Sequence, residues 1–294
     1  MSIQQLMESL SHQNVPTSTL YVIATPIGNI GDISLRALHI LGMADLVACE
    51  DTRTSKALLS VYGFSAELVS AHKHNEREAA GYLIERLKRG ERIALVSDAG
   101  TPAVSDPGAR IVDAVREAGM NVVPVPGSSA AITALSASGL LDEHFLFYGF
   151  LPTKNVQRND VLKTLTETRA TLIFYEAPHR IEETLKALAD IFEPARRIVI
   201  ARELTKLFEE IHRCTMAEVM SWLNSDPNHK KGEFVLLVEG APPVSEDLNT
   251  ESQRVLSILM KELPVSAAAS LAAKITGDKK NRLYELALQL KKKE

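Results

Sequence analysis

The stretch Arg92-Ile93-Ala94-Leu95-Val96-Ser97-Asp98-Ala99-Gly100-Thr101-Pro102 decides the fold class. Its first half is an apolar run that reads as a buried strand over residues 92–96. The second half stops that strand: Pro102 has no N–H to give a ladder, and Gly100 accepts turns closed to residues with a Cβ. A Pro107-Gly108 turn and a helical pattern over residues 109–118 come next. Strand, loop and helix in that order form the repeating unit of an α/β fold. Loops at the carboxyl ends of its strands are where such folds bind ligands.

The same rhythm extends on both sides. Residues 20–24 read as a strand, Thr25-Pro26-Ile27-Gly28-Asn29 as a turn and residues 34–43 as a helix. A short strand over 46–49 precedes the polar string Glu50-Asp51-Thr52-Arg53-Thr54-Ser55, read as a loop. A helix over 76–89, a strand over 121–125 and Pro126-Gly127-Ser128-Ser129 opening a helix through 136 complete the first half. Strands alternating with helices imply mostly parallel pairing.

The second half of the chain changes pattern. An apolar strand over 145–150 and a linker over 151–154 lead to a helix over 158–168. Further strands are expected over 171–175, 197–201 and 234–238. Residues 209–214 are expected to pair with them without a full helix between, which implies antiparallel neighbours and a mixed sheet. The expectation is an α/β protein of two domains, with the boundary at residues 126–138 or at the linker over 151–154.

The ends read differently. Residues 1–18 look like a loose leader, and Ala241-Pro242-Pro243-Val244-Ser245 like a linker. Helical patterns over 253–263, 265–275 and 280–290, separated by Pro264 and Thr276-Gly277-Asp278, make residues 241–294 a small helix-turn-helix-like domain. Lys274, Lys279, Lys280, Arg282 and Lys291 to Lys293 make this end basic although the whole 294-residue chain carries a net charge of −4. That balance excludes a uniformly basic nucleic-acid binder but allows a segregated basic patch. No apolar run approaches the roughly 18 residues of a membrane span. The two cysteines, Cys49 and Cys214, have no metal-ligand spacing and suggest a reducing, cytoplasmic setting.

Several chemical signatures are missing. The chain has no Gly-x-x-x-x-Gly-Lys-Ser/Thr, Gly-x-Gly-x-x-Gly, His-Glu-x-x-His, Cys-x-x-Cys or Gly-x-Ser-x-Gly, so no metal site is expected. What remains is a set of loops, each after an apolar strand, able to share one sheet edge and line one cleft. Their small residues, hydroxyls and carboxylates suit a ligand read through backbone groups, such as a nucleoside joined to an amino acid. Ser128 and Ser129 stand at a helix start, where amides and hydroxyls hold a carboxylate or simply cap the helix.

Six of these segments occur in an informative order: Thr25–Asn29, Glu50–Arg53, Ser97–Pro102, Val125–Ser129, Phe174–Arg180 and Arg202–Lys206. Together, over about residues 19–240, they resemble the tetrapyrrole-methylase superfamily, the class III S-adenosylmethionine methyltransferases. More closely they resemble its bacterial branch that methylates the ribose 2'-hydroxyl of a cytidine in 16S rRNA, cytidine 1402 by that resemblance. The resemblance implies two α/β domains, over residues 19–127 and 128–240, with the cofactor cleft between them, a homodimer, S-adenosylmethionine as cofactor and the 30S subunit as partner. By motif position, Asp98, Ala99 and Gly100 would hold the donor's methionine part, helped by Ser128 and Ser129. Val104, Tyr175, Glu176, Ala201, Gly232 and Glu233 would wall its adenosine, and Pro26 and Gly28 would shape the floor.

A ribose hydroxyl is a weak acid, so a base or a cation beside it would assist transfer. Candidates are Asp51, His72 and Glu76 as bases, Arg53 and Arg180 as cations, and the pair Glu203 and Lys206. Asp51 and Arg53 are expected on the acceptor side. RNA is expected to meet Lys73, Arg77, Lys154 and Arg158 near the cleft and Lys279, Lys280 and Arg282 in the tail. Methylation of a small tetrapyrrole and RNA binding without catalysis are the competing readings. The basic tail favours RNA, and the full set of cleft loops favours catalysis.

Overall fold

A computed structural model describes residue 9, residues 12–242 and residues 250–291. The first sheet contains β1 (Thr19–Ile23), β2 (Leu46–Cys49), β3 (Glu67–Ser70), β4 (Arg92–Val96) and β5 (Asn121–Val125). Its spatial order is β3-β2-β4-β1-β5, and every pairing is parallel. Successive side chains alternate between faces, so each central strand feeds two cores. On one face Leu20, Leu46 and Ile93 pack against Leu83 of α3 (Glu76–Lys88) and Ile111 of α4 (Ala109–Glu117). On the other, Tyr21, Val47 and Ala94 meet Ile40 of α1 (Leu35–Leu41) and Leu59 of α2 (Thr52–Val61).

The second sheet is mixed, as the strand pattern implies. It contains β6 (Phe145–Phe150), β7 (Thr171–Glu176), β8 (Arg197–Arg202), β9 (Glu210–Thr215) and β10 (Phe234–Val238), in the order β6-β7-β10-β8-β9. Only β6 and β7 run parallel; the other neighbours are antiparallel. Helix α5 (Ala130–Ser138) lays Ala131 and Ala134 on one face, against Ile173, Val199 and Leu237. Helices α6 (Asn155–Leu165), α7 (Ile181–Ile191) and α8 (Val219–Ser225) cover the other face through Leu162, Leu185 and Leu223.

The structure departs from the sequence reading at several points. The polar string 50–55 is not all loop: Asp51 accepts the Arg53 amide and caps α2, which begins at Thr52. Asp favours this position because its carboxylate satisfies an otherwise unpaired helix amide. Strand β3 escaped notice because it is a short, partly exposed edge strand. Helix α7 was also missed, although Ile181, Leu185 and Leu188 recur at helical spacing and are fully buried. Helix α6 starts and ends three residues earlier than the pattern 158–168 suggested.

Of the expected leader, residues 1–8, 10 and 11 lie outside the described residues. The part next to β1 is tied down: the Val15 carbonyl accepts Arg92 Nε at 3.0 Å, and the Pro16 carbonyl accepts the Tyr21 hydroxyl at 2.7 Å.

Residues from 241 onward form a separate compact unit. Its helices are α9 (Thr250–Glu262), α10 (Val265–Thr276) and α11 (Lys280–Lys291). Leu256, Ala268, Ala272, Leu283 and Ala287 make its core, the alanines allowing close helix approach. The Ser252 hydroxyl bonds the Asp278 carboxylate in the turn before α11. Residues 243–249 and 292–294, with Lys292 and Lys293 of the basic tail, lie outside the described residues. Among the described residues no helix is long and apolar enough to cross a membrane.

Burial separates two leucines cleanly. Leu83 is fully buried and Leu207 is 89% exposed. Urea unfolding should therefore show Leu83→Ala destabilised by about 2–5 kcal/mol, with Leu207→Ala within about 0.5 kcal/mol of the parent.

Candidate active site

The ends of the two central strands of the first sheet are locked together. The Thr25 amide donates to the Gly100 carbonyl at 2.9 Å, and the Gly100 amide returns a bond to Thr25 at 3.0 Å. The Thr25 hydroxyl adds a bond to the Ser97 carbonyl at 3.0 Å. Gly100 has φ +80°, a conformation that a Cβ would strain. The Thr101 hydroxyl then donates to the Ser128 carbonyl at 3.0 Å, joining this loop to the segment that enters α5.

Beside these loops lies a cavity of about 280 Å³, walled by both sheets. Ala99, Gly100, Thr101, Val104 and Asp106 contribute from the first sheet's loops. Tyr175, Glu176, Ala201, Leu204, Glu233 and Val235 contribute from the second. Ser129 and Ala130 close one side at the start of α5, where Ser129 makes no side-chain capping bond. The Tyr175 hydroxyl accepts the Ala131 amide at 3.2 Å.

Two apolar lining residues are presented by strained backbone. Val104 sits between Ala103 and Ser105, at φ +66° and +68°, and Leu204 between Glu203 and Thr205, at φ +51° and +66°. Such conformations cost about 1–3 kcal/mol each and persist only where the surroundings enforce them.

Of the residues expected to hold a donor, Ala99, Gly100, Val104, Ser129, Tyr175, Glu176, Ala201 and Glu233 line this cavity. Pro26, Gly28, Asp98, Ser128 and Gly232 are not among its lining residues. Pro26 is buried under the turn. Gly28 lets the first-sheet turn approach the second-sheet loop, since a Cβ there would fall 2.9 Å from Thr205 Oγ1 and 3.1 Å from the Leu204 carbonyl. Asp98 Oδ1 accepts the Asp51 amide at 3.2 Å. Gly232 backs onto the Glu203 side chain. Asp106 and Leu204 were missed by the sequence reading. Both lie within or beside motifs it had marked, but only the fold shows which side chains turn inward.

The charged candidates are mostly engaged. Asp51 pairs with Arg53 at 2.8 Å, and that hydrogen bonding, with the Arg53 amide, holds the Asp51 carboxyl down at about 2. The Arg53 side chain is itself 90% exposed. Glu76 is buried and accepts the Gly108 amide at 2.6 Å, so it fixes the start of α4 and is not among the cavity's walls. Lys206 Nζ bridges Glu203 at 2.9 Å and Glu233 at 2.7 Å. Arg180 pairs with buried Glu176 at 3.2 Å, and Glu176 also accepts the Thr184 hydroxyl at 2.6 Å. His72 accepts the His74 amide at 3.3 Å in an adjacent loop.

Among the expected RNA contacts, Lys73, Arg77, Lys154, Lys279 and Lys280 are exposed, and Arg282 is half-buried. Arg158 is the exception. Only 3% exposed, it bonds Asn155 Oδ1 at 2.8 Å and pairs with Glu183 at 3.4 Å. Its guanidinium is enclosed between α6 and α7 and cannot join a surface patch. Among the described residues no group of three or more His, Cys, Asp or Glu is placed to hold a metal ion.

The tetrapyrrole (corrin/porphyrin) methylase model matches residues 19–220, and the RsmI C-terminal HTH domain model matches residues 246–291. The chain belongs to the tetrapyrrole methylase family. Ribosomal RNA small subunit methyltransferase I of Pseudomonas aeruginosa is 52% identical over 273 residues, covering 92% of this chain and 97% of that protein. The protein of the same name from Escherichia coli O157:H7 is 48% identical over 280 residues, covering 95% and 98%. Among solved methylases, uroporphyrin-III C-methyltransferase from Thermus thermophilus aligns with TM-score 0.53 at 21% identity, over 76% of this chain and 94% of that one. Cobalt precorrin-4 methyltransferase aligns with TM-score 0.55 at 19% identity, over 77% and 98%. These two likenesses establish the methylase fold, with its C-terminal helical addition matched separately.

The Asp51–Arg53 pair gives a direct check. Carboxyl NMR should show Asp51 titrating near 2, and Arg53→Ala should return it toward about 4. A wild-type titration already near 4 would mean that the pair does not form in solution.

Proposed function

We propose that this protein transfers the methyl group of S-adenosylmethionine to the ribose 2'-hydroxyl of a cytidine in small-subunit ribosomal RNA. The reading is carried by one combination: a methylase cavity at the strand ends, in a chain about half identical, nearly end to end, to methyltransferases named for small-subunit rRNA. The tetrapyrrole methylases resemble it at about one residue in five, which speaks for shared architecture alone. That contrast favours RNA over a macrocycle.

The cavity's chemistry fits the donor. Ser129 makes no side-chain cap at the start of α5, a helix end suited to a carboxylate, although the Ala131 amide there is already bonded to the Tyr175 hydroxyl. The turn at Ala99 and Gly100 brings main chain to the wall where the amino-acid portion would lie. Val104, Ala201, Leu204 and Val235 offer apolar surface to a flat base. Glu176 and Glu233 put carboxylates around a ligand that carries a positive sulfur. When bound, the donor supplies a methyl group already activated by that sulfonium.

The protein's share of the work is therefore placement. Locked loops would orient the acceptor oxygen toward the methyl carbon and keep water out, which lowers the barrier mainly through orientation. RNA is held by exposed Lys73, Arg77 and Lys154 and by the C-terminal unit. In that unit Lys279, Lys280 and Arg282 cluster at the start of α11, the second helix of the helix-turn-helix pair. The active form is a homodimer in the cytoplasm, and its substrate is the 30S particle.

Labelled S-adenosylmethionine incubated with 30S subunits, naked 16S rRNA or a reduced tetrapyrrole tests the reading. Label should appear in 2'-O-methylcytidine, at cytidine 1402. Label in the macrocycle, or RNA binding without transfer, would contradict it. Replacing Lys279, Lys280 and Arg282 together by Ala should weaken RNA binding and reduce the slope of log affinity against log salt by about 2–3. An unchanged slope would remove those side chains from the RNA interface.

A further inference from the structure

Three carboxylates gather where the first sheet ends: Glu50 after β2, Asp98 after β4, and Asp106 farther along the β4–α4 loop. Their surroundings differ. Asp98 accepts the Asp51 amide, and Glu50 lies within electrostatic reach of His72. Asp106 lines the cavity itself, has the Ser97 hydroxyl as its hydrogen-bonding neighbour, and acts electrostatically on Tyr175 of the opposite sheet.

We propose that Asp106 is the group that accepts the ribose 2'-hydroxyl proton during methyl transfer. The proposal rests on the reading of this cavity as a ribose methylation site. In the step, the hydroxyl proton passes to the Asp106 carboxylate and the ribose oxygen forms its bond to the methyl carbon. The carbon–sulfur bond breaks with its electron pair left on sulfur. The products are a 2'-O-methyl ribose, the neutral thioether of the spent donor and protonated Asp106, which returns its proton to solvent.

Position comes first. Asp106 is on the first-sheet wall, across the cavity from Tyr175, with Ala99 and Gly100 on the same side. Its loop is held on two sides. Ser105 at φ +68° packs against Gly149 of β6, where a Cβ would come within 2.8 Å of Ser105 Oγ. Two residues beyond Asp106, the Gly108 amide is fixed by buried Glu76. A side chain on so constrained a loop is pre-set for a single geometry.

The electrostatics agree with that position. Burial first, then the negative charge of Glu50, push the Asp106 carboxyl up to about 6; the Ser97 hydrogen bond opposes them, and Asp98 adds a lesser upward push. A base of that strength is ionised at neutral pH yet still takes a proton readily. The other acids of the site are less suited. Asp51 is held near 2 by Arg53, Glu176 is committed to Arg180 and Thr184, and Glu233 to Lys206. Because the base must be ionised, transfer should rise with pH below about 6 and level off above it.

Asp106→Asn and Asp106→Glu test this in the full-length protein. Three measurements are needed: transfer to 30S subunits against pH, S-adenosylmethionine affinity without RNA, and carboxyl NMR titration of the free protein. D106N should lose about a hundredfold in transfer, lose the acidic limb, and keep donor affinity within about threefold. D106E should recover at least about tenfold over D106N and regain a limb, as a carboxylate base requires. The wild-type Asp106 resonance should titrate near 6 and vanish in D106N. Unchanged transfer in D106N, an acidic limb that survives it, or donor affinity falling as far as transfer would overturn the proposal. The last result would make Asp106 a donor-binding residue. Failure of the wild-type protein to methylate ribose in any RNA would instead overturn the underlying reading.

Discussion

The paired hydrogen bonds between Thr25 and Gly100 are the constraint on which the site depends. They join the loops after β1 and β4, the two adjacent central strands, at the edge where a parallel sheet offers its ligand crevice. The Thr25 hydroxyl takes up the Ser97 carbonyl as well, so the turn around Asp98 and Ala99 has little freedom to slide. Thr101 carries the constraint onward to Ser128 and the start of α5, which packs on the other sheet. One short run of backbone thus connects both halves of the cavity wall. Gly28, pressed against Thr205 and the Leu204 carbonyl, provides a second point of close approach between them.

Much of this was legible in the sequence because the physics is local. Strands β2, β4, β5 and β10 are apolar runs bounded by turn residues, and their limits coincide with the expected ones. The cleft loops announced themselves through Gly, Pro and hydroxyl residues placed after such runs. Less legible were features that depend on partners distant in the chain. Arg158 looked like a surface cation, yet its neighbours Asn155 and Glu183 enclose it. Glu76 looked like a possible base, yet Gly108, 32 residues away, claims its carboxylate. Asp51 looked like a loop acid, and its short-range role as the cap of α2 was there to be read. Asp106 drew no notice because nothing in Ser105-Asp106-Pro107 reveals Glu50 and Asp98 beside it.

The charge distribution resolves the tension between an acidic chain and a polyanionic substrate. Glu176 and Glu233 put carboxylates among the cavity's walls, the sign that suits a cationic donor. Exposed cations occur in both compact units, Lys73, Arg77 and Lys154 in the first and Lys279 and Lys280 at the start of α11 in the second. A net charge of −4 therefore describes neither surface. An acidic chain can in this way offer a cationic donor and a polyanion local fields of opposite sign. The strained turns at Ala103, Ser105, Glu203 and Thr205 fit the same division, because they hold the cavity's apolar walls in place before any ligand arrives.

The central assignment, a methyl donor seated among the loops at the strand ends, is tested most directly by ultraviolet cross-linking of labelled S-adenosylmethionine and peptide mapping of the product. Label should fall in peptides carrying Ala99 to Asp106, Ser129 to Ala130 or Tyr175 to Pro178, and excess unlabelled donor should abolish it. Label confined to the helix layer of α6 and α7, or to the C-terminal unit, would contradict the assignment.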